Sequence, residues 1–297
     1  MTPCGFLNID KPSGLTSRDV VNRVQRLSRR LKAGHAGTLD PLASGVLVVG
    51  VGAATRLVRY VQAMRKQYRA TFLLGRESPT EDVEGPVTPW PDPPVPSLDQ
   101  LRAAAASLVG EIRQRPPLYS ALKVQGRRAY DLARAGEAFD LQPRTVTIYQ
   151  MEIQRYEYPE LDLWVECSSG TYVRSLGRDL AASLGTAAVM ARLTRIAVGS
   201  FRLEDATPLD RLDPTRWPDF LTPPLRAVED LPRLPLTREE VRRLQFGQAI
   251  AREVPGLAGE VAGIGPDGQL AAILSPRGNG RWGAVWQPGQ PPSATNR

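Results

Sequence analysis

Residues 34–45 read Gly34-His35-Ala36-Gly37-Thr38-Leu39-Asp40-Pro41-Leu42-Ala43-Ser44-Gly45. Gly34, Gly37 and Gly45 let the backbone pass close to a ligand and take left-handed turns. The sequence's one histidine, His35, shares this loop with Asp40, and Pro41 stiffens the chain just after the acid. The apolar run that follows, Val46 to Val51, predicts a buried strand. Polar groups on a loop beside a buried strand are a common site of catalysis. Taken alone, the same residues also fit a structural turn in which Asp40 bonds nearby backbone N–H groups.

Working outward, residues 6–10 predict a short strand and Lys11-Pro12-Ser13-Gly14 a turn. Thr16 and Asp19 form a capping box for a helix whose Val20, Val21, Val24, Leu27 and Leu31 share one face. Its outer side carries Arg18, Arg23, Arg26, Arg29, Arg30 and Lys32 against Asp19 alone, a pattern that also suits a merely solvated face. A helix is expected over 53–64 and a strand over 68–74. Gly50-Val51-Gly52-Ala53-Ala54-Thr55 imitates a dinucleotide fingerprint, but Thr55 replaces its third glycine and no acid follows at the right distance, so it reads as a tight turn. Six prolines within 86–96 make that stretch a surface connection. Ser97 and Gln100 cap a helix to about Leu108. Strands are expected at 145–157, at 161–167 and near 193–201, with a helix from Tyr172 to Leu184 between the last two. Thr237 and Glu240 cap a short helix to Phe246, and Gly-punctuated strands then run to about Trp286.

The whole chain has 297 residues, with 38 Lys and Arg against 31 Asp and Glu, a formal charge of +7. Its length suits about two domains. The basic balance suggests a polyanionic partner such as RNA, though a soluble protein can simply be basic. Segment 113–144 concentrates the charge: Arg113, Arg115, Lys123, Arg127, Arg128, Arg134 and Arg144 face Asp131, Glu137 and Asp140, with Tyr119 and Tyr130 interleaved. Cations for phosphates and rings for bases are what RNA contacts need. Cys4 and Cys167 make neither a disulfide framework nor a zinc site, and a single histidine argues against multi-histidine metal centres. No apolar stretch reaches the roughly 20 residues of a membrane span. The N-terminus lacks a secretory pattern, and a cytoplasmic location is expected.

The loop Gly34-His35-x-Gly37-x-Leu39-Asp40-Pro41 closely resembles the signature of the TruB-type bacterial tRNA pseudouridine synthases, which isomerise uridine 55 of the T loop. Leu7-x-x-Asp10-Lys11-Pro12-x-Gly14, Lys66-Gln67-Tyr68-Arg69, Tyr119-Ser120-Ala121-Leu122-Lys123 and Gly170-Thr171-Tyr172-Val173-Arg174 extend the resemblance in order and spacing from about residue 5 to residue 202. The last sixty or so residues resemble the family's PUA-type RNA-binding module only loosely.

The resemblance implies an α+β fold. Residues 1–228 would form a catalytic domain around a mixed, largely antiparallel sheet, with an RNA-embracing insertion at about 113–144. Residues 229–287 would form a small β-rich PUA-like module, and 288–297 a disordered tail. It implies Asp40 as the catalytic aspartate, Tyr68 as the ring that stacks on the target base, and Arg174 as the cation paired with the aspartate. His35 would fill the space left by the flipped nucleotide. Lys11, Tyr172 and Leu193 would line or support the pocket, and Lys123 would bind substrate RNA. Arg192-Leu193-Thr194-Arg195 follows the family pattern only approximately. The reaction moves the uracil from N1 to C5 attachment on C1′ with no net oxidation or group donor, so no cofactor is expected. The expected partner is the T-arm stem-loop of tRNA, bound by a monomer with no obligatory protein partner and no membrane.

Overall fold

The computed structural model describes residues 3–288 except 121, 125, 136, 138, 254, 255, 257 and 258, and describes no side chain at 123, 124, 128, 133 and 134. The chain gathers into two compact units. One comprises residues up to 40, 47–62 and everything from 200 onward; the other comprises 41–46 and 63–199.

In the first unit, β1 (Gly5–Lys11) buries Phe6, Leu7 and Ile9. It pairs parallel with Thr207–Pro208 and antiparallel with Leu221–Thr222. Helix α1 (Ser17–Leu27) starts at the Thr16/Asp19 capping box as the sequence predicts, and buries Val20, Val21 and Val24. Strand β2 (Ala33–His35) lies within what the sequence reads as loop, antiparallel to β3 (Ser44–Val51), with His35 opposite Val49. The short strand forms because the glycine-rich segment must return along β3, and the ladder satisfies its backbone groups. The expected single helix over 53–64 is instead a 3₁₀ turn, Gly52–Leu57, followed by an α-helix, Val58–Ala63. Thr55 Oγ1 donates to the Gly52 carbonyl at 2.8 Å, a local bond that competes with regular helix at this turn.

The second unit is a sheet with helices. Strand β4 (Lys66–Leu74) is paired along both of its edges. After helix α2 (Leu98–Ser107), capped by Ser97 and Gln100 as predicted, come β5 (Gly110–Gln114), β6 (Arg144–Glu157) and β7 (Glu160–Cys167). Helix α3 (Val173–Ala182) and β8 (Ala188–Val198) complete it. The ladders β5–β6, β6–β7, β7–β4 and β4–β8 are all antiparallel. Against the start of β3, β8 runs parallel, with Thr194 opposite Ser44 and Arg195 opposite Gly45. Strand β8 begins five residues before the expected 193, because Ala188–Met190 are buried and pair with β4. Leu161, Leu163, Val165 and Cys167 are buried and alternate with half-buried residues, as the period-two pattern predicts. Within 113–144 the chain forms a short hairpin, Lys123–Val124 with Arg127–Arg128, and a helix, Ala129–Arg134.

The C-terminal part of the first unit is a five-stranded sheet. Its order is Arg233–Pro235, Val261–Ile264, Leu270–Pro276, Arg281–Trp286 and Ile250–Ala251. The helix Arg238–Gln245 follows the Thr237/Glu240 capping box. Leu234, Leu244, Ile250, Val261, Leu274 and Trp282 form its own core. Glu260 accepts from Tyr60 Oη and Arg59, both at 2.6 Å, and Trp286 Nε1 donates to the Ala53 carbonyl at 2.8 Å. Burial and the neighbouring carboxylate push the Tyr60 phenol up to about 12. Residues 289–297 of the expected tail lie outside the described residues. Among the described residues no helix is long and apolar enough to cross a membrane.

Candidate active site

Asp40 sits half-buried in the 36–43 loop between β2 and β3. The peptide just before it is held by α1: Leu39 N–H donates to Ser17 Oγ at 2.8 Å, and Ser17 Oγ donates to the Leu39 carbonyl at 3.0 Å. Both residues are buried, so this clamp satisfies two backbone groups that water cannot reach. Ser17 is the first residue of α1, so the Thr16 cap that starts the helix also places the clamp. Leu39 and Ala43 anchor the loop in the core on either side of Asp40.

Lys11, at the end of β1, is fully buried, and its Nζ donates to the carbonyls of Pro12 at 2.9 Å and Leu15 at 2.7 Å. It stitches together the turn that delivers the chain to α1. His35 is half-buried on β2. Asp40, His35 and Lys11 thus all fall in the first unit.

The other described candidates fall in the second unit. Tyr68 is buried on β4, opposite Val165 on one side and Arg195 on the other. Leu193 is buried on β8 opposite Ala70, which brings it onto the strand next to Tyr68. Tyr172 is the residue before α3, and Gln114 clamps its backbone: Tyr172 N–H donates to Oε1 at 2.8 Å, and Nε2 donates to the Tyr172 carbonyl at 3.0 Å. Arg174, in the first turn of α3, is almost wholly buried. It donates to Asp82 Oδ2 at 3.1 Å, to the Thr80 carbonyl at 2.7 Å and to the Tyr119 carbonyl at 3.1 Å. Asp82 is itself buried, and its other oxygen accepts from Thr80 Oγ1 at 2.6 Å and Glu84 N–H at 3.1 Å. Helix α3 approaches the sheet closely because Gly177 has no side chain; a Cβ there would lie 2.0 Å from the Phe72 ring. Lys123 belongs to the short hairpin, but its side chain lies outside the described residues.

Several positioning residues are not singled out by the sequence pattern. Asp82 and Gln114 reach their partners across 92 and 58 residues, distances at which no local pattern operates. Glu81 accepts from Ser175 Oγ at 2.6 Å and pairs with Arg178, and Arg178 also donates to the Arg115 carbonyl at 2.9 Å. Burial raises the Glu81 carboxyl while Arg178 opposes that rise. Lys66 and Arg195 are buried cations flanking Tyr68 in sequence and register. Lys66 Nζ donates to the Met64 carbonyl at 2.6 Å. Burial, reinforced by Arg195, lowers Lys66 to about 8. Opposite Lys66, burial pushes the Cys167 thiol up to about 11. The run Lys66-Gln67-Tyr68-Arg69 looks polar, so only the ladder shows that Lys66 points inward.

The chain is similar to known proteins over most of its length. Residues 25–173 match the family model described as TruB family pseudouridylate synthase (N terminal domain). A protein named tRNA pseudouridine synthase B from Corynebacterium aurimucosum is 42% identical over 280 residues, covering 92% of this chain and 93% of that protein. A protein of the same name from Gluconacetobacter diazotrophicus is 46% identical over 253 residues, covering 83% and 82%. Among solved structures, an H/ACA RNP bound to a substrate RNA containing 2′-deoxyuridine matches with a TM-score of 0.69 at 26% identity, covering 92% of this chain and 78% of that one. A Cbf5-Nop10-Gar1 complex matches with the same TM-score of 0.69 at 27% identity.

Proposed function

The chain belongs to the TruB family of pseudouridylate synthases and acts on tRNA as one, and from that premise we propose that its target is uridine 55 of the T loop and that Asp40 carries the chemistry. The observation that supports Asp40 most directly is the Ser17 clamp, which fixes the peptide before an acid in a loop that matches the family signature. A catalytic carboxylate must keep one place while the sugar and base move past it, and small misplacements are costly.

The reaction breaks the bond from C1′ to N1 of uracil, turns the base, and joins C5 to C1′. The proton on C5 is lost and N1 gains one, so the isomerisation balances without an external reagent. An ionised Asp40 serves this as a nucleophile or by stabilising positive charge on the sugar. In this reading Arg174 is the cation that the family resemblance assigns to the aspartate. The target nucleotide is stacked in folded RNA, and turning it out costs roughly a few kcal/mol. Stacking on Tyr68 returns about 1–3 kcal/mol. His35 fills the vacated space, Lys11, Tyr172 and Leu193 take the supporting parts that the family resemblance assigns them, and Lys123 and the rest of 113–144 grip the RNA. The domain reading stays as proposed: a catalytic domain over 1–228 and a PUA-like module over 229–287.

The test is turnover by the isolated protein on an unmodified T-arm stem-loop, with product mapped by carbodiimide labelling. Product at the T-loop uridine is expected from the protein alone. Asp40→Ala is expected to abolish it while RNA affinity stays within about tenfold, because phosphate and stacking contacts dominate binding. Substantial residual turnover by Asp40→Ala would reject Asp40 as the essential group. A requirement for added partner proteins would favour an RNA-guided activity like that of the solved ribonucleoprotein relatives.

A further inference from the structure

The outer end of helix α1 carries charge that the reading above does not use. Val20, Val21 and Val24 face inward, while Arg18 and Arg26 are exposed on the opposite side. Beyond the helix, Arg29, Arg30 and Lys32 are exposed as well. None of these five side chains forms a salt bridge or hydrogen bond among the described residues, whereas Arg59, Arg102, Arg115 and Arg155 each reach a carboxylate. The single acid of the segment, Asp19, is engaged by the Thr16 backbone N–H at 2.9 Å and by the Thr16 hydroxyl. The field of these cations is therefore uncompensated locally, and a polyanion is the partner that it attracts.

The backbone adds a second, independent observation. Arg29 and Arg30 have φ of +52° and +68°, the left-handed region that L side chains rarely adopt. Arg30 N–H donates to the Gln25 carbonyl at 2.7 Å, closing the helix C-terminus in the way that usually places glycine or asparagine there. Two consecutive arginines in this conformation are not explained by backbone preference. A local rule broken without a folding gain points to function. Both side chains are exposed, and Arg30 lines a shallow surface with Asp19, Asn22, Gln25 and Arg26.

We propose that the surface at the far end of the helix, built from Arg26, Arg29, Arg30 and Lys32, docks the phosphate backbone of the substrate RNA at a place remote from the target nucleotide. Ser17, at the other end of α1, clamps the loop carrying Asp40. A rise of 1.5 Å per residue puts Arg26 and its neighbours roughly 15 Å along the helix from that clamp. The contact therefore acts on affinity and on placement of the RNA body, and not on the chemical step. The inference rests on the tRNA reading above for the identity of the RNA.

The experiment compares the wild type with a triple variant, Arg26→Gln, Arg29→Gln and Arg30→Gln, using whole unmodified tRNA over a series of salt concentrations. Affinity is expected to fall about tenfold, and the slope of log affinity against log salt to shrink by about 2–3, as expected when that many phosphate contacts are lost. The rate at saturating tRNA should stay at the wild-type value. A second variant, Arg29→Gly with Arg30→Gly, keeps the left-handed turn easy and removes two charges. It should melt no lower than the wild type and still bind more weakly. Unchanged affinity and salt slope in the triple variant would overturn the proposal, and so would a loss confined to the saturating rate. A wild-type protein that binds tRNA through these arginines yet forms no pseudouridine would leave the surface standing and remove the proposed activity.

Discussion

Arg174 and Asp82 form an ion pair of 3.1 Å, their side chains only 7% and 4% exposed, although 92 residues separate them in the chain. The same guanidinium also holds the Thr80 and Tyr119 carbonyls. One side chain at the start of α3 thus ties down both the acidic turn at 80–82 and the beginning of the basic segment. Breaking a buried pair by removing one partner costs about 3–5 kcal/mol, because a charge stays behind in a poorly solvated place. Asp82→Ala should therefore lower stability by about that amount, and Asp82→Asn by less, since the amide still accepts a hydrogen bond. Urea unfolding measures both. Turnover should fall more than RNA affinity in each variant, and an Asp82→Ala protein with the wild-type midpoint and rate would show the pair to be incidental.

The Ser17 clamp gives a separate prediction about the Asp40 loop. Ser17→Ala leaves the buried Leu39 N–H and carbonyl without this partner, a loss of about 1–3 kcal/mol per unsatisfied group. Asp40 itself is unchanged, so the signature of the variant should be a single-turnover rate at least about tenfold lower with RNA affinity nearly intact. Measured below the melting transition, equal rates for variant and wild type would mean that the loop keeps its geometry without the hydroxyl.

Gly45 tests the other end of that loop. Its φ is +95°, and a Cβ there would lie 2.3 Å from the Arg195 carbonyl oxygen. That oxygen belongs to strand β8 and cannot move like the tip of a side chain. Ser44 Oγ and Thr194 Oγ1, 3.0 Å apart, bind the same two strands one residue earlier. Gly45→Ala should thus cost more than about 3 kcal/mol, combining left-handed strain with a backbone clash. Soluble expression with a melting temperature near wild type would refute the close approach of β3 to β8.

What the sequence makes legible follows from range. The capping boxes at Thr16/Asp19, Ser97/Gln100 and Thr237/Glu240 all form, because each depends on residues three apart and on nothing else in the fold. The alternating pattern over 161–167 is readable for the same reason. The Asp40 loop is conspicuous because its glycines, proline and acid crowd into one stretch. The apparatus that holds it is hidden, since Ser17 looks like an ordinary first-turn serine until Leu39 is seen folded against it. Asp82 likewise reads as one of three acids in a polar turn, and only α3 identifies it as the partner of Arg174. Lys66 is hidden by its polar neighbours, because burial of a lysine depends on strands β7 and β8, which lie about 100 or more residues further along.

That buried lysine predicts a pH dependence. Lys66 is held down to about 8 in the folded protein, chiefly by burial and then by Arg195, against 10.5 for an ordinary lysine. In the window between those values the unfolded chain binds the proton and the folded protein does not. Stability conferred through this group therefore rises with pH from about 8 to 10.5, by at most about 1.4 kcal/mol per pH unit, and is flat below about 8. The Cys167 thiol has the opposite sign: its pKa is raised to about 11 from 9.0, so its contribution is lost as pH climbs through that range. Comparing wild type with Lys66→Met cancels most of the thiol contribution, which both proteins carry. The variant should be the more stable at pH 7, and its advantage should shrink steadily as pH approaches 10. Urea midpoints taken at several pH values read this directly, and two parallel stability curves would show that Lys66 keeps an ordinary pKa in the folded protein.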